Sequence, residues 1–239
     1  MDDQGADSFA ESREALIGQL RVERRRLGYL DRMLRPDPER SSVWFNAVVV
    51  TPAMLADFSA RASKELTVQL YHLALSISRC MAMSTATVQV LQLIKIFDEL
   101  DFHTNSAAVK FIKSAQARAT DTHVPDASSF SSGLTKCDGA VYFQALATPH
   151  MPFDLDHAFV ASRLVRALEG TYARLIDDVS AAELDPDSDF GAQFELIVEL
   201  DMRFKQKVLT PIVAGLGAAA VAALHQQIAS LRGGLGSPR

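Results

Sequence analysis

The residues best suited to chemistry in this 239-residue chain are acidic. Asp98, Glu99 and Asp101 fall on one amphipathic segment and Asp177 and Asp178 on another. Carboxylates that face each other across a cavity, with cations nearby, are what a magnesium-diphosphate site requires. The spacing gives that reading limited support. Asp98 adjoins the apolar Phe97, Lys95, Glu99 and Asp101 fall on the polar side of their helix, and 183–189 reads as a loop with helix-capping acids. A solvated surface accounts for the same residues, so a magnesium-dependent helical enzyme using Asp98, Asp101, Asp177 and Asp178 ranks third among the readings kept. Nucleophile, phosphate and zinc signatures are missing: there is no G-x-S-x-G elbow, Walker loop, dinucleotide glycine run or H-E-x-x-H pair. The histidines at 72, 103, 123, 150, 157 and 225 are scattered, and His103 reads as a structural residue at the end of a helical stripe. Cys80 and Cys137 make no disulfide framework and match no zinc spacing. The sequence therefore predicts no catalytic residue, no metal and no cofactor.

The elements that would carry these groups are helices. Ser12 can cap a first helix whose apolar positions Leu16, Ile17, Leu20, Leu27, Leu30 and Leu34 recur at helical spacing, stopped by Pro36 and Pro38, after a disordered acidic head over 1–11. A connection with Trp44 and a run, 47–50, suited to extended backbone follows. Thr51-Pro52 opens a second helix, with the hydroxyl as N-cap and proline at the first helical position. Leu55, Phe58, Ala62, Leu66, Leu70, Leu73 and Ile77 form its single stripe. A tight turn over 81–87 leads to a third helix through Val90, Leu93, Ile94, Phe97 and Leu100, running on to about Ala119. Prolines, glycines and serines mark 121–155 as a long insert, with a short structured piece allowed over 140–146. Helical spacing resumes at Phe159, Leu164, Leu168, Leu175 and Ile176. A last helix carries Phe194, Ile197, Leu200, Phe204, Val208, Ile212, Leu216, Ala220, Leu224, Ile228 and Leu231, with Pro211 predicted to bend it. The fold class is all-α: an antiparallel bundle of four long helices in one domain over 12–232, with a flexible tail over 233–239.

Composition bounds the function. Hydrophobic residues make up 48% and charged residues 22%, with 24 basic against 29 acidic side chains for a net charge of −5. That balance offers no broad basic surface for phosphate attraction, and the run Arg21, Arg24, Arg25, Arg26, interrupted by Glu23, reads as a solvated helix face, so no nucleic-acid partner is expected. The longest uninterrupted apolar stretch, Ile212 to Leu224, is shorter than the roughly 18 to 20 residues that cross a bilayer, so no membrane partner is expected. The acidic, polar N-terminus differs from a signal or transit peptide, and the expected location is the cytoplasm or nucleus. The alanine-rich faces of the last helix bury little side chain per residue, which favours an oligomer.

At KIFDELDFHT, residues 95–104, and ELDMRFKQKVL, residues 199–209, the chain resembles the third and fourth helices of the 11S-type proteasome activators, especially the divergent homoheptameric form of trypanosomes. Four long helices, a short activation loop between the second and third, an insert at the end of the third and a flexible carboxyl tail follow the same order. The resemblance implies a ring of seven that caps the proteasome core particle and opens its gate without ATP. By position it makes Met83, Ser84, Thr85 and Ala86 the activation-loop equivalent, and Ser237, Pro238 and Arg239 the docking tail. The loop here lacks the acidic and Asn/Gly residues of the family, and the last residue is basic. A generic helical scaffold or adaptor fits the long amphipathic rods without any of these family details.

Overall fold

The structure, a computed structural model, describes residues 3–35, 42–81, 86–105, 135–137, 140–181 and 190–235. It is an all-α protein, with two small antiparallel hairpins among the described residues. Helix α1 (Asp3–Leu34) begins well before Ser12, so the segment expected to be a disordered head is helical from Asp3 onward. Its Leu20, Leu27, Leu30 and Leu34 are buried, most extensively against α5 (His157–Ala181).

The second predicted helix is two helices, α2 (Pro52–Arg61) and α3 (Lys64–Cys80). Thr51 caps α2 as expected, accepting from the Met54 N–H at 3.2 Å. Ala62 is extended, and Ser63 starts a new cap, its hydroxyl accepting from the Leu66 N–H at 3.1 Å. The apolar stripe hides this break because both halves face the same core. The local signal is Ser63 itself, since a serine can offer the backbone a competing hydrogen bond.

Helix α4 (Ala86–Thr104) packs against α3 and against α6 (Phe190–Phe204). The extension predicted beyond it, over 106–119, lies outside the described residues, as does 121–134 of the insert. In the described part of the insert β3 (Thr135–Cys137) pairs with β4 (Ala140–Tyr142), and the chain that follows bonds to α4 at Gln144–Leu146 and to α3 at Ala147 and Pro149. The turn over 82–85 is not among the described residues.

The last rod is interrupted. A π-helical segment, Lys205–Leu209, separates α6 from α7 (Thr210–Leu235). Pro211 has no N–H to offer, and the ladder widens one residue upstream of it. The Thr210 N–H bonds to the Lys205 carbonyl, and the Thr210 hydroxyl donates to the same oxygen at 2.8 Å. The disruption expected from Pro211 therefore takes the form of a π segment within a continuous rod. By length and composition alone Gln193–Arg232 is long and apolar enough to cross a membrane, with mean hydropathy 1.8 in its best window, although its uninterrupted apolar run is shorter.

The core is one continuous cluster in which Phe97, Phe204 and Tyr172 meet edge-on or tilted, at centroid separations of 5.5 and 5.7 Å. Helix α2 crosses α7 at Gly215, where a Cβ would sit 2.8 Å from the buried Phe58 ring. Gly215→Ala should therefore lose about 1–3 kcal/mol by overpacking, more than the helix propensity it gains. Gly18→Ala, which has open space around it, should instead gain about 0.5–1 kcal/mol. Thermal melts of the two variants, moving in opposite directions, check this close approach.

Candidate functional site

Buried charge concentrates where the last rod widens. Asp201 sits on the inward stripe of α6, four residues after Ile197 and three before Phe204, and is almost fully buried. It accepts from the Tyr172 hydroxyl at 2.6 Å, the Gln19 amide at 2.8 Å and Lys205 Nζ at 2.7 Å. Lys205, the first residue of the π segment, also reaches Glu23 of α1 at 3.1 Å, and Arg26 covers the same carboxylate at 3.0 Å. Burial alone would lower the Lys205 pKa, and its bonds to Asp201 and Glu23 outweigh that and raise it. The Tyr172 hydroxyl is pushed up, by burial first and then by Asp201, so it stays protonated and donates. Four elements, α1, α5, α6 and the start of the π segment, are tied together at this point.

The acidic groups singled out in the sequence form ion pairs. Asp98 pairs with Arg203 at 2.6 Å and Asp101 with Lys207 at 2.5 Å, so both bind α4 to the last rod. Glu99, expected on the polar side of its helix, is instead buried, and accepts three consecutive backbone N–H groups, of Gln144 and Ala145 at 2.9 Å and of Leu146 at 2.6 Å. Asp177 is exposed and Asp178 half-buried, with its Oδ2 lacking a hydrogen-bond partner. Among the described residues no three His, Cys, Asp or Glu side chains gather as metal ligands. Cys80 is buried, and burial raises its thiol to about 11, which leaves it protonated at neutral pH.

His72 and His157 are buried as structural groups. His72 lies 3.4 Å from the Pro149 carbonyl, and His157 shares a 2.8 Å hydrogen bond with the Thr67 hydroxyl and packs on Phe58. Burial lowers both pKa values. Each imidazole therefore binds its proton more readily in the unfolded chain, where the pKa is about 6.5. Stability should be independent of these two groups above about pH 7 and fall as pH drops through about 6.5 toward their lowered folded values. Thermal melts between pH 8 and pH 5 should show this loss, and His72→Gln should reduce it.

Clamped at its base, α7 leaves the core along its length. Ile212, Leu216, Ala219 and Ala220 are buried, whereas Val221, Leu224, Ile228 and Leu231 are 53%, 39%, 40% and 68% exposed. The sequence placed Leu224, Ile228 and Leu231 in the buried stripe, and the structure corrects that. A row of residues four apart drifts by about 40° per step around a helix of 3.6 residues per turn, so the row that starts inward at Ile212 has turned outward by Leu224. At the base of the same face lies a depression of about 640 Å³, bounded by Tyr29, Trp44, Phe45, Leu209 and Val213, with Glu23 and Lys205 at its edge.

The wall of this depression is the hairpin β1 (Val43–Trp44) and β2 (Val48–Val49). Its turn closes with the Ala47 N–H on the Trp44 carbonyl at 3.0 Å, and both central residues, Phe45 and Asn46, have positive φ. Asparagine tolerates that conformation, but phenylalanine is strained in it by about 1–2 kcal/mol. Tyr29 holds the turn, its hydroxyl accepting from the Phe45 N–H at 2.8 Å and donating to the Val43 carbonyl at 3.3 Å. The strained ring is left 69% exposed beside Trp44. A strained backbone that presents an apolar side chain to solvent is the kind of outlier found at binding surfaces.

Of the residues that the activator resemblance singles out, Met83, Ser84, Thr85, Ser237, Pro238 and Arg239 lie outside the described residues, and Ala86 is the first residue of α4. The α7 face and the Phe45 turn were not singled out by sequence as a site. Val221 signals the face, because it extends Leu224, Ile228 and Leu231 at alternating steps of three and four. No protein-family model, curated protein or solved structure matches this chain.

Proposed function

We propose that the chain is a non-catalytic assembly protein, a helical bundle that self-associates through the outward face of α7. The observation that carries this is the run of exposed apolar side chains at 221, 224, 228 and 231, on a helix whose base is fixed by the half-buried Lys205 paired with two buried carboxylates. A helical face of this kind is ordinarily buried, and a few free helical turns are marginal in water without a covering surface. The resemblance to 11S-type activators gives the assembly a specific destination, a cap on the proteasome core particle in the cytoplasm or nucleus, docked by Ser237, Pro238 and Arg239 and opened by residues 83–86.

Light-scattering mass across a concentration series tests the assembly. The wild-type chain should run at a multiple of 26.1 kDa, and Leu224→Glu should run at 26.1 kDa with unchanged helical circular dichroism. A wild-type protein that stays monomeric refutes the reading. Peptidase stimulation of purified core particle, with and without residues 233–239, tests the destination separately: stimulation that does not depend on the tail rejects the docking role.

A further inference from the structure

We infer that the occupant of the α7 face is the α7 of a second copy of this chain running antiparallel to it, each helix placing its large tip residues over the small base residues of the other. This rests on the self-association proposed above and makes it a pair, in place of the ring of seven that the resemblance implies. Along one side of α7 the exposed Thr210, Ala214, Val221, Leu224, Ile228 and Leu231, with the half-buried Gly217 among them, are separated by steps of 4, 3, 4, 3, 4 and 3. That is heptad spacing sustained for about three heptads, the 3.5-residue repeat of a helix that packs along another helix, which differs from the 3.6 repeat of a helix lying on a globule. No residue from 212 to 231 is charged, so along that stretch the two helices can approach without desolvating an ion, and the charges at the base, Glu23, Arg26 and Lys205, are already paired with one another.

The size gradient along the seam sets the direction. Thr210, Ala214 and Gly217 are small, and nothing lies within 4 Å of a Cβ built on Gly217. The four positions that follow carry Val, Leu, Ile and Leu. A parallel pair would set small against small at one end and leave a void, which interiors packed near crystal density do not sustain. An antiparallel pair centred on Val221 sets Gly217 opposite Leu224, Ala214 opposite Ile228 and Thr210 opposite Leu231. The depression walled by Phe45 and Trp44 opens beside Thr210 and Ala214, so it receives the partner's tip. The arrangement is isologous, and the same contact is made twice around one two-fold axis.

Disulfide trapping in a chain carrying Cys137→Ser tests the register. Under mild oxidation Val221→Cys should cross-link to itself. Ala214→Cys and Ile228→Cys should cross-link when mixed, at least tenfold more than either alone. Gly217→Leu, which meets open space within its own chain, should weaken dimerisation at least tenfold, and adding Leu224→Ala should restore it. The wild-type mass should be twice 26.1 kDa. Self-cross-linking of Ile228→Cys as efficient as that of Val221→Cys means a parallel arrangement and overturns the inference while the assembly reading stands, and so does a mass near seven times 26.1 kDa. A monomer at every concentration overturns both. Monomeric protein that floats with phosphatidylcholine vesicles, and loses this with Leu224→Glu, assigns the face to lipid and also overturns both.

Discussion

Asp201→Ala is expected to lower the unfolding free energy by about 3–5 kcal/mol, the range for removing one partner of a buried ionic cluster. For a chain of this length that corresponds to a Tm drop of roughly 6–20 °C. The loss has three parts. Lys205 keeps its charge with only Glu23 to answer it, the Tyr172 hydroxyl loses its acceptor in the core, and the Gln19 amide loses its partner across the α1 interface. Asp201→Asn should be milder, because the amide oxygen can still accept from Tyr172. A cycle with Lys205→Met separates the ionic part. Removing the lysine alone leaves the buried Asp201 without a cation, while Arg26 still covers Glu23; removing lysine and Asp201 together leaves no buried carboxylate without a cation, so the double variant should lose less than the sum of the singles. Strictly additive losses, or a loss below about 1 kcal/mol for Asp201→Ala, would mean that the cluster is solvated. The π segment is coupled to the same cluster through Lys205, so amide exchange at 205–210 should accelerate in Asp201→Ala well beyond exchange elsewhere in α7.

The helices were legible because each buries one stripe, and a stripe is visible as spacing. Leu16, Leu20, Leu27 and Leu30, or Leu164, Leu168, Leu175 and Ile176, announce both the element and its inward face. What spacing cannot show is a break that preserves phase, as at Ser63, or a helix that lacks an apolar stripe, as in α1 before Ser12. Buried charge is harder to see because residue type argues against it. Glu23 was read as an interruption in a basic run, yet it falls three residues after Leu20 and four before Leu27, on the inward stripe itself. Asp201 and Glu99 occupy equivalent positions on α6 and α4. In each case position was the better guide than polarity, and the partners that make burial tolerable come from elements distant in sequence.

The outward face of α7 was hidden by a different error of the same kind. A row of residues four apart looks like one stripe in the sequence but winds slowly around the helix. Ile212, Leu216 and Ala220 face the core, and Leu224 and Ile228, read as their continuation, do not. The strained turn at Phe45 had no sequence signal, because phenylalanine is not a residue chosen for positive φ and only the Tyr29 hydroxyl, sixteen residues earlier, makes the conformation tenable.

Glu99 and Asp101, two residues apart on α4, should respond to substitution in opposite ways. Asp101→Asn removes an ion pair with Lys207 in which both side chains are well exposed, and such pairs contribute about 0–1 kcal/mol. Glu99→Ala removes the acceptor for three successive N–H groups and leaves them facing a cavity, with a hydrogen bond to a charged group contributing about 1.5–3 kcal/mol each before relaxation. Some of those groups can regain water at the edge of the connection, so a net loss of about 3–5 kcal/mol is expected. Glu99→Gln should not rescue it, because the new NH₂ adds a donor to a site made of donors. The loss should be local first. Amide exchange at Gln144, Ala145 and Leu146 should accelerate in Glu99→Ala by at least a hundredfold, about 2.7 kcal/mol of local opening at about 1.4 kcal/mol per tenfold. The same amides should stay protected in Asp101→Asn. Equal exchange in the two variants would show that the connection over 143–149 is held by Ser76, whose hydroxyl accepts from the Ala147 N–H at 2.9 Å, and by the burial of Leu146, with the carboxylate contributing little.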